Sequence, residues 1–190
     1  MLTENELIKF RRELHSYPET GWCEFVTTHK IVEKLRSFGL DPIYGRQVIN
    51  PEFVAGRNPA KVEEAKKAAL EKGVPPEFIE SMQDYTGVAA IFETGRPGPV
   101  LAIRFDMDCV DVDEAHEAGH RPFDEGWAST NPGHMHSCGH DGHATMGIAV
   151  CNWIQENLDQ FCGTIKVVFQ PAEEGVRGAR PMTETGIFDD

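Results

Sequence analysis

Ten residues at 134–143, HMHSCGHDGH, hold four of the chain's eight histidines, one cysteine and one aspartate. All are donors able to bind a transition metal. Two acidic stretches flank the cluster in sequence. RFDMD at 104–108 ends one apolar run, and QPAEEG at 170–175 places Glu173 and Glu174 side by side after another. Thiolate and imidazole favour zinc or a similar ion over magnesium or calcium, which take cages of oxygen. Cys138 and His140, one residue apart, do not have a zinc-finger spacing, and no second cysteine pair closes a four-ligand structural site. Carboxylates as further ligands, with one left free, suit a catalytic centre. The chemistry is metal-assisted hydrolysis: a bound ion lowers the pKa of a water and polarises a carbonyl oxygen. A carboxylate that does not ligate takes the water's proton and hands it to the leaving nitrogen.

Each set has a plainer alternative. Adjacent glutamates also make solvated acidic turns, a free cysteine is commonly a small core side chain, and Asp106 and Asp108 alone read as a turn cap. Their order argues for more, because each set sits beside a β-run, and open α/β sheets gather their sites beyond the carboxyl ends of strands. His134 and His143 read as surface or supporting groups. Cys23, Cys109, Cys151 and Cys162 read as core or near-core thiols.

The elements that must bring these loops together alternate between helix and strand. Thr3 and Glu6 form a capping box, and Leu7, Phe10 and Leu14 at helical spacing predict a helix over 4–15. The polar HSYPETG at 15–21 ends it. Phe25, Ile31, Val32, Leu35 and Phe38 predict a second helix, stopped at Gly39, with a short strand over 40–44. Residues 45–85 are polar and punctuated by proline, with helices predicted from Pro59 to Gly73 and from near Pro76. Few apolar anchors there predict a surface insertion, or a flap that meets a partner. Strands are expected at 88–92 and 100–105, and the GRPG at 95–98 predicts that they pair as a hairpin. A helix follows over 142–158, with Met146, Ala149, Val150, Trp153, Ile154 and Leu158 inward, then a strand over 163–169. The pattern is α/β, a mixed β-sheet flanked by helices.

Composition narrows the partners. A chain of 190 residues, 40% hydrophobic, makes one domain or a little more. Its 18 basic and 31 acidic residues give a net charge of −13 without a Lys/Arg run, which argues against nucleic acid and anionic membranes. No apolar segment approaches the ~20 residues of a membrane span. The opening MLTENELIKF lacks a signal-peptide core, so a cytoplasmic location is expected. Five cysteines are too sparse for a disulfide scaffold.

At these residues the chain resembles the metal-dependent amidohydrolases that include aminoacylases, hippurate hydrolase and the auxin-conjugate hydrolases. The stretches that carry the resemblance are FRRELHSYPETG, LAIRFDMDCVDVDE, MHSCGHDGHATMGIAV and VVFQPAEEGVRGARPM. GRQVIN, ETGRPGPV and HRPFDEGWASTNPGHMHSCGHDGH narrow it to members acting on p-aminobenzoyl-glutamate. The resemblance implies a di-metal, exopeptidase-like α/β catalytic domain holding two divalent ions, Mn2+ or Zn2+. By motif position Cys138, His140 and Glu174 would be ligands, Glu173 the general base, and Asp108 a carboxylate that orients the site. A glutamate conjugate needs cationic partners for its carboxylates, for which Arg177 and Arg180 stand just past the glutamate pair. Members of this family are longer, with two more histidine ligands downstream and a lid domain that also forms dimers. Residues 1–190 are therefore expected to be the N-terminal portion of the catalytic domain, lacking the lid. Alone the chain is expected to be inactive, needing the missing part in cis or as a second chain, and its expected protein partner is a second copy (a homodimer) or a complementary subunit. The alternatives are a deacylase for another N-acyl amino acid, or a non-catalytic metal-binding or assembly module.

Overall fold

A computed structural model of the chain describes residues 1–189. Its centre is a four-stranded sheet of β1 (Ile43–Tyr44), β2 (Val88–Glu93), β3 (Val100–Asp106) and β4 (Thr164–Gln170), in the order β1-β2-β4-β3. The mixed α/β sheet is as expected, but the hairpin is not. β2 pairs antiparallel with β4, β3 pairs parallel with β4, and β4 lies between the two supposed partners. The reason is burial. Ile165 to Gln170 are all buried, whereas Val100, Leu101 and Ala102 of β3 are exposed, so the more apolar strand takes the interior and the less covered one the edge. The GRPG turn spans the start of β4 instead of closing a hairpin. Gly163 N donates to Arg96 O at 2.8 Å and Thr164 N to Pro99 O at 3.1 Å.

The helices are α1 (Glu4–His15), α2 (Phe25–Arg36), α3 (Pro59–Glu71), α4 (Pro76–Met82), α5 (Arg121–Asp124), α6 (His140–Glu156) and α7 (Ala179–Thr183). The Thr3 and Glu6 capping box forms as expected. The N-terminus of α2 is capped from outside by buried Glu19, which accepts from Val26 N at 3.0 Å and Thr27 N at 2.8 Å. Segment 45–85 does carry apolar anchors: Val62, Ala69, Val74, Phe78, Ile79 and Met82 join the main core. Val48 and Ile49 join a smaller one with Trp22, Val168 and Met182. Among the described residues, no helix is long and apolar enough to cross a membrane.

α6 is the crossover between parallel β3 and β4, and its inward face differs from the one its periodicity predicts. Ala144, Gly147, Ile148, Cys151 and Ile154 are buried, while Met146 and Trp153 are 55% and 49% exposed. Gly147 explains the rotation. A β-carbon there would stand 2.5 Å from Cε1 of Phe169 and 2.8 Å from Cδ2 of Phe105, so the backbone itself packs on the two aromatic rings and the larger side chains turn outward. Cys162, expected near the core, is exposed, whereas Cys109 and Cys151 are buried and Cys23 half-buried.

A buried polar chain ties α1 to the start of α6. Asp141 Oδ2 accepts from Arg11 Nε at 3.0 Å and meets His15 Nδ1 at 2.9 Å. His15 Nε2 meets Glu114 at 3.0 Å, and Glu114 also takes Ser129 N and His120 Nε2. Burial opposes charge on His15, but the hydrogen bonds to Asp141 and Glu114 outweigh it and raise its pKa above 6.5. For Glu114, burial is outweighed by His15, Ser129 and His120, and its pKa is lowered below 4.5.

Two outcomes follow from this packing. Gly147→Val overfills the contact with Phe105 and Phe169, and a urea titration should show a loss of about 1–3 kcal/mol; an unchanged midpoint would contradict the packing. The raised His15 value means that its contribution to stability is full below pH 6.5 and is lost as pH rises through the folded value. The lowered Glu114 value contributes above pH 4.5 and is lost as pH falls through the folded value. The urea midpoint should therefore decline above pH 6.5 more steeply in the unsubstituted chain than in His15→Gln. Equal slopes would show that the buried pair carries no such linkage.

Candidate metal centre

Because β3 and β4 are parallel, with Asp106 opposite Gln170, their carboxyl ends leave the sheet side by side. The loop after β3 carries Asp108, the turn after β4 carries Glu173 and Glu174, and α6 begins at His140 between them. Ligand atoms of Asp106, His140 and Glu173 lie within 4.8 Å of one another, the one such group among the described residues. His140 is the hub. Its Nδ1 is 3.0 Å from the carbonyl oxygen of Asp108, 3.3 Å from Asp108 Oδ1 and 3.6 Å from Glu174 Oε1, and its Nε2 is 3.7 Å from Glu173 Oε2. Asp108 Oδ2 accepts from Glu174 N at 3.1 Å, which pins the glutamate turn to the β3 loop. Asp106 N donates to His143 Nδ1 at 2.9 Å; this leaves Nε2 to carry the proton of a neutral His143.

The donors fit a cation. Asp106 Oδ1, Asp108 Oδ1 and Glu174 Oε1 are buried without a hydrogen-bond partner. Buried acceptors of negative charge are costly unless paired or coordinating a metal. The local field shows the same deficit of positive charge. Burial opposes protonation of His140, yet the hydrogen bond and charge of Asp108, with the charge of Glu174, raise it to about 9. Glu24, fully buried beneath the turn, is pushed up to about 8 by burial and then by Asp108. The Cys138 thiol is raised by its hydrogen bond to Glu174 first and by burial second.

Of the expected ligands, Glu174 stands on the Nδ1 side of His140 with exposed Cys138 against it, and neither joins the tightest group, in which Glu173, the expected base, stands on the Nε2 side. Glu173 and Asp108 also border His140, on its two ring nitrogens. Asp106 enters the tightest group although the sequence does not single it out as a ligand. The RFDMD motif contains it, but which of the two aspartates approaches the imidazole depends on where β3 ends. Glu24 carries no sequence signal, since its contacts to Thr86 and Ala172 are distant in the chain. Arg177 and Arg180 lie elsewhere. Arg177 Nη1 donates to Gly56 O at 2.9 Å, and the Arg180 guanidinium stacks 4.7 Å from the ring centre of Phe53. His136 is buried with neither ring nitrogen partnered, and burial lowers its pKa to about 4, so it is neutral.

Comparison with known proteins agrees with this geometry. Residues 102–190 match the model of peptidase family M20/M25/M40. The chain is 48% identical to a Haemophilus influenzae homolog of a p-aminobenzoyl-glutamate hydrolase component, over 98% of this chain and 44% of that protein. It is 43% identical to the indole-3-acetyl-aspartic acid hydrolase of Enterobacter agglomerans, over 97% of this chain and 43% of that protein. Its fold matches a dinuclear metal binding peptidase from the M20 family of Bacillus subtilis with a TM-score of 0.70 at 29% identity, covering 97% of this chain and 40% of that one. The chain spans less than half the length of the curated relatives it matches, and its match to peptidase family M20/M25/M40 lies in residues 102–190.

Proposed function

We propose that this chain carries part of the active site of a metal-dependent amidohydrolase that cleaves N-acyl amino acids, with p-aminobenzoyl-glutamate as its substrate. The observation that carries the reading is the meeting of Asp106, His140 and Glu173, where buried oxygens of Asp106, Asp108 and Glu174 have no hydrogen-bond partner. The 48% identity to the Haemophilus influenzae protein supports the choice of substrate. The 43% identity to the indole-3-acetyl-aspartic acid hydrolase favours a second reading, another N-acyl amino acid.

Cys138, His140 and Glu174 are the proposed metal ligands, with Asp106 beside them. Two divalent ions, Mn2+ or Zn2+, supply Lewis-acid activation of water and of the amide carbonyl when bound. The chain's own residues do the rest. Asp108 accepts the Nδ1 proton of His140 through its backbone oxygen, which frees Nε2 to ligate and fixes the ring. Its side chain holds the backbone of Glu174 in place. Glu173 takes a proton from water as the C–O bond forms and returns it to the amide nitrogen as the C–N bond breaks. The products are p-aminobenzoate and glutamate.

Two measurements test this. Hydrolysis of p-aminobenzoyl-glutamate is followed with added Mn2+ or Zn2+, by the chain alone and with the remaining portion of the Haemophilus influenzae relative supplied. Turnover is expected on complementation, and Glu173→Gln should lower kcat about 10²- to 10⁴-fold. Undiminished turnover in that variant would remove Glu173 as the base, and bound metal without hydrolysis of p-aminobenzoyl-glutamate or, assayed alongside, indole-3-acetyl-aspartate would favour a binding module. In a thermal melt, Mn2+ should raise the Tm of the chain in a concentration-dependent way. His140→Ala should abolish that shift, and a shift that persists places the ion elsewhere.

A further inference from the structure

The turn that carries the two glutamates is strained. Ala172 and Val176 both have φ of 53°, a region that disfavours residues with a β-carbon and most of all a β-branched one. Val176 is 92% exposed, so no packing of its side chain holds it there. Such strain persists only where the surroundings over-determine the backbone. Glu24 Oε1 accepts from Ala172 N at 2.8 Å, and Asp108 Oδ2 accepts from Glu174 N at 3.1 Å. Both fasten the near side of the turn to the body of the domain. The far side is fastened by Arg177, whose Nη1 donates to Gly56 O at 2.9 Å.

Arg177 reaches Gly56 through a cradle of three glycines from three parts of the chain. A β-carbon on Gly175 would stand 2.1 Å from its Nε, one on Gly56 2.8 Å from its Cδ and Nη1, and one on Gly21 3.1 Å from its Nη2. The side chain thus threads between the loop after α1, segment 45–85 and the turn itself, with its Nε buried and unpartnered. An arginine that reads a substrate carboxylate needs its donors free; this half-buried one has its Nε buried and its Nη1 committed to Gly56 O.

We propose that Arg177 is a positioning residue, a staple through which segment 45–85 holds the strained turn so that Glu173 and Glu174 both face His140. The functional part rests on the reading of Glu173 as the proton acceptor. Segment 45–85 is then more than a cover for the sheet, and Gly56 is a control point remote from the site in sequence. Gly56→Ala pushes on Arg177 without removing a charge, and Arg177→Ala removes the staple.

The test reads amide hydrogen exchange across 172–178 and Mn2+ affinity by calorimetry in both variants. The amides of Glu174, Val176 and Arg177 are expected to exchange at least ~10-fold faster, as local opening becomes easier. Mn2+ affinity should fall about 10- to 100-fold, as for loss of other groups that orient ligands. In the complemented enzyme kcat should fall with KM nearly unchanged. Unchanged exchange and Mn2+ affinity in both variants would overturn the staple, as would a rise in KM alone for Arg177→Ala. If Arg177→Ala does not fold, Gly56→Ala decides alone by the same two readouts. Exchange and affinity need no turnover, so faster exchange with weaker Mn2+ binding supports the staple even if Glu173→Gln shows the hydrolytic reading to be wrong.

Discussion

The parallel pairing of β3 with β4 is the constraint on which the site depends. Antiparallel strands would send Asp106 and the glutamate turn to opposite ends of the sheet; parallel ones release them at the same end, in register at Asp106 and Gln170. A parallel pair needs a crossover, and α6 supplies it. The crossover helix lies close to the sheet because Gly147 lets its backbone rest on Phe105 and Phe169. That approach, with the tie from Asp141 to Arg11 and His15, delivers His140 to the gap between the two strand exits. One backbone pairing and one missing side chain therefore bring three distant motifs together.

What forms there is a pocket of excess negative charge around a single imidazole. Asp106 and Asp108 are buried, Glu173 and Glu174 partly so, and the neighbouring groups respond to their field. His140 gains a proton readily, and Glu24 beneath the turn keeps its own at neutral pH, since burial and Asp108 push it up to about 8. A protein ordinarily neutralises buried carboxylates with arginine or lysine. Arg104 reaches Asp106 at 3.3 Å, but Asp108 and Glu174 have only the His140 imidazole near them and keep oxygens without a hydrogen-bond partner. The fold maintains this imbalance with neutral support, in hydrogen bonds from backbone amides and from the hydroxyl of Thr86 to Glu24.

Two kinds of scaffold surround that pocket. The chain from Arg11 through Asp141, His15 and Glu114 to His120 locks the start of α6 from one side with paired charges. Segment 45–85 acts from the other side through the packing of α3 and α4 and through Gly56. Both scaffolds act on short loops, which alone would not hold ligand side chains to sub-ångström positions.

Sequence by itself determined the local features. The capping box at Thr3 and Glu6, the helix starts at Pro59 and Pro76, and the strands at 88–92, 100–105 and 163–169 all follow from nearest-neighbour chemistry and period. The donors at 104–108, 134–143 and 170–175 are legible as metal chemistry, because few other roles use thiol, imidazole and carboxylate together. Tertiary structure decided how these pieces meet. A turn motif specifies the reversal of the chain but not which strand fills the space beside it, so the GRPG turn leaves open the insertion of β4 between β2 and β3. Helical period marks an apolar stripe but not its rotation, which Gly147 sets by contact with two aromatic rings. Glu24 and the glycine cradle of Arg177 depend on contacts between residues far apart in the chain. Such contacts are created by folding and leave no local pattern to read.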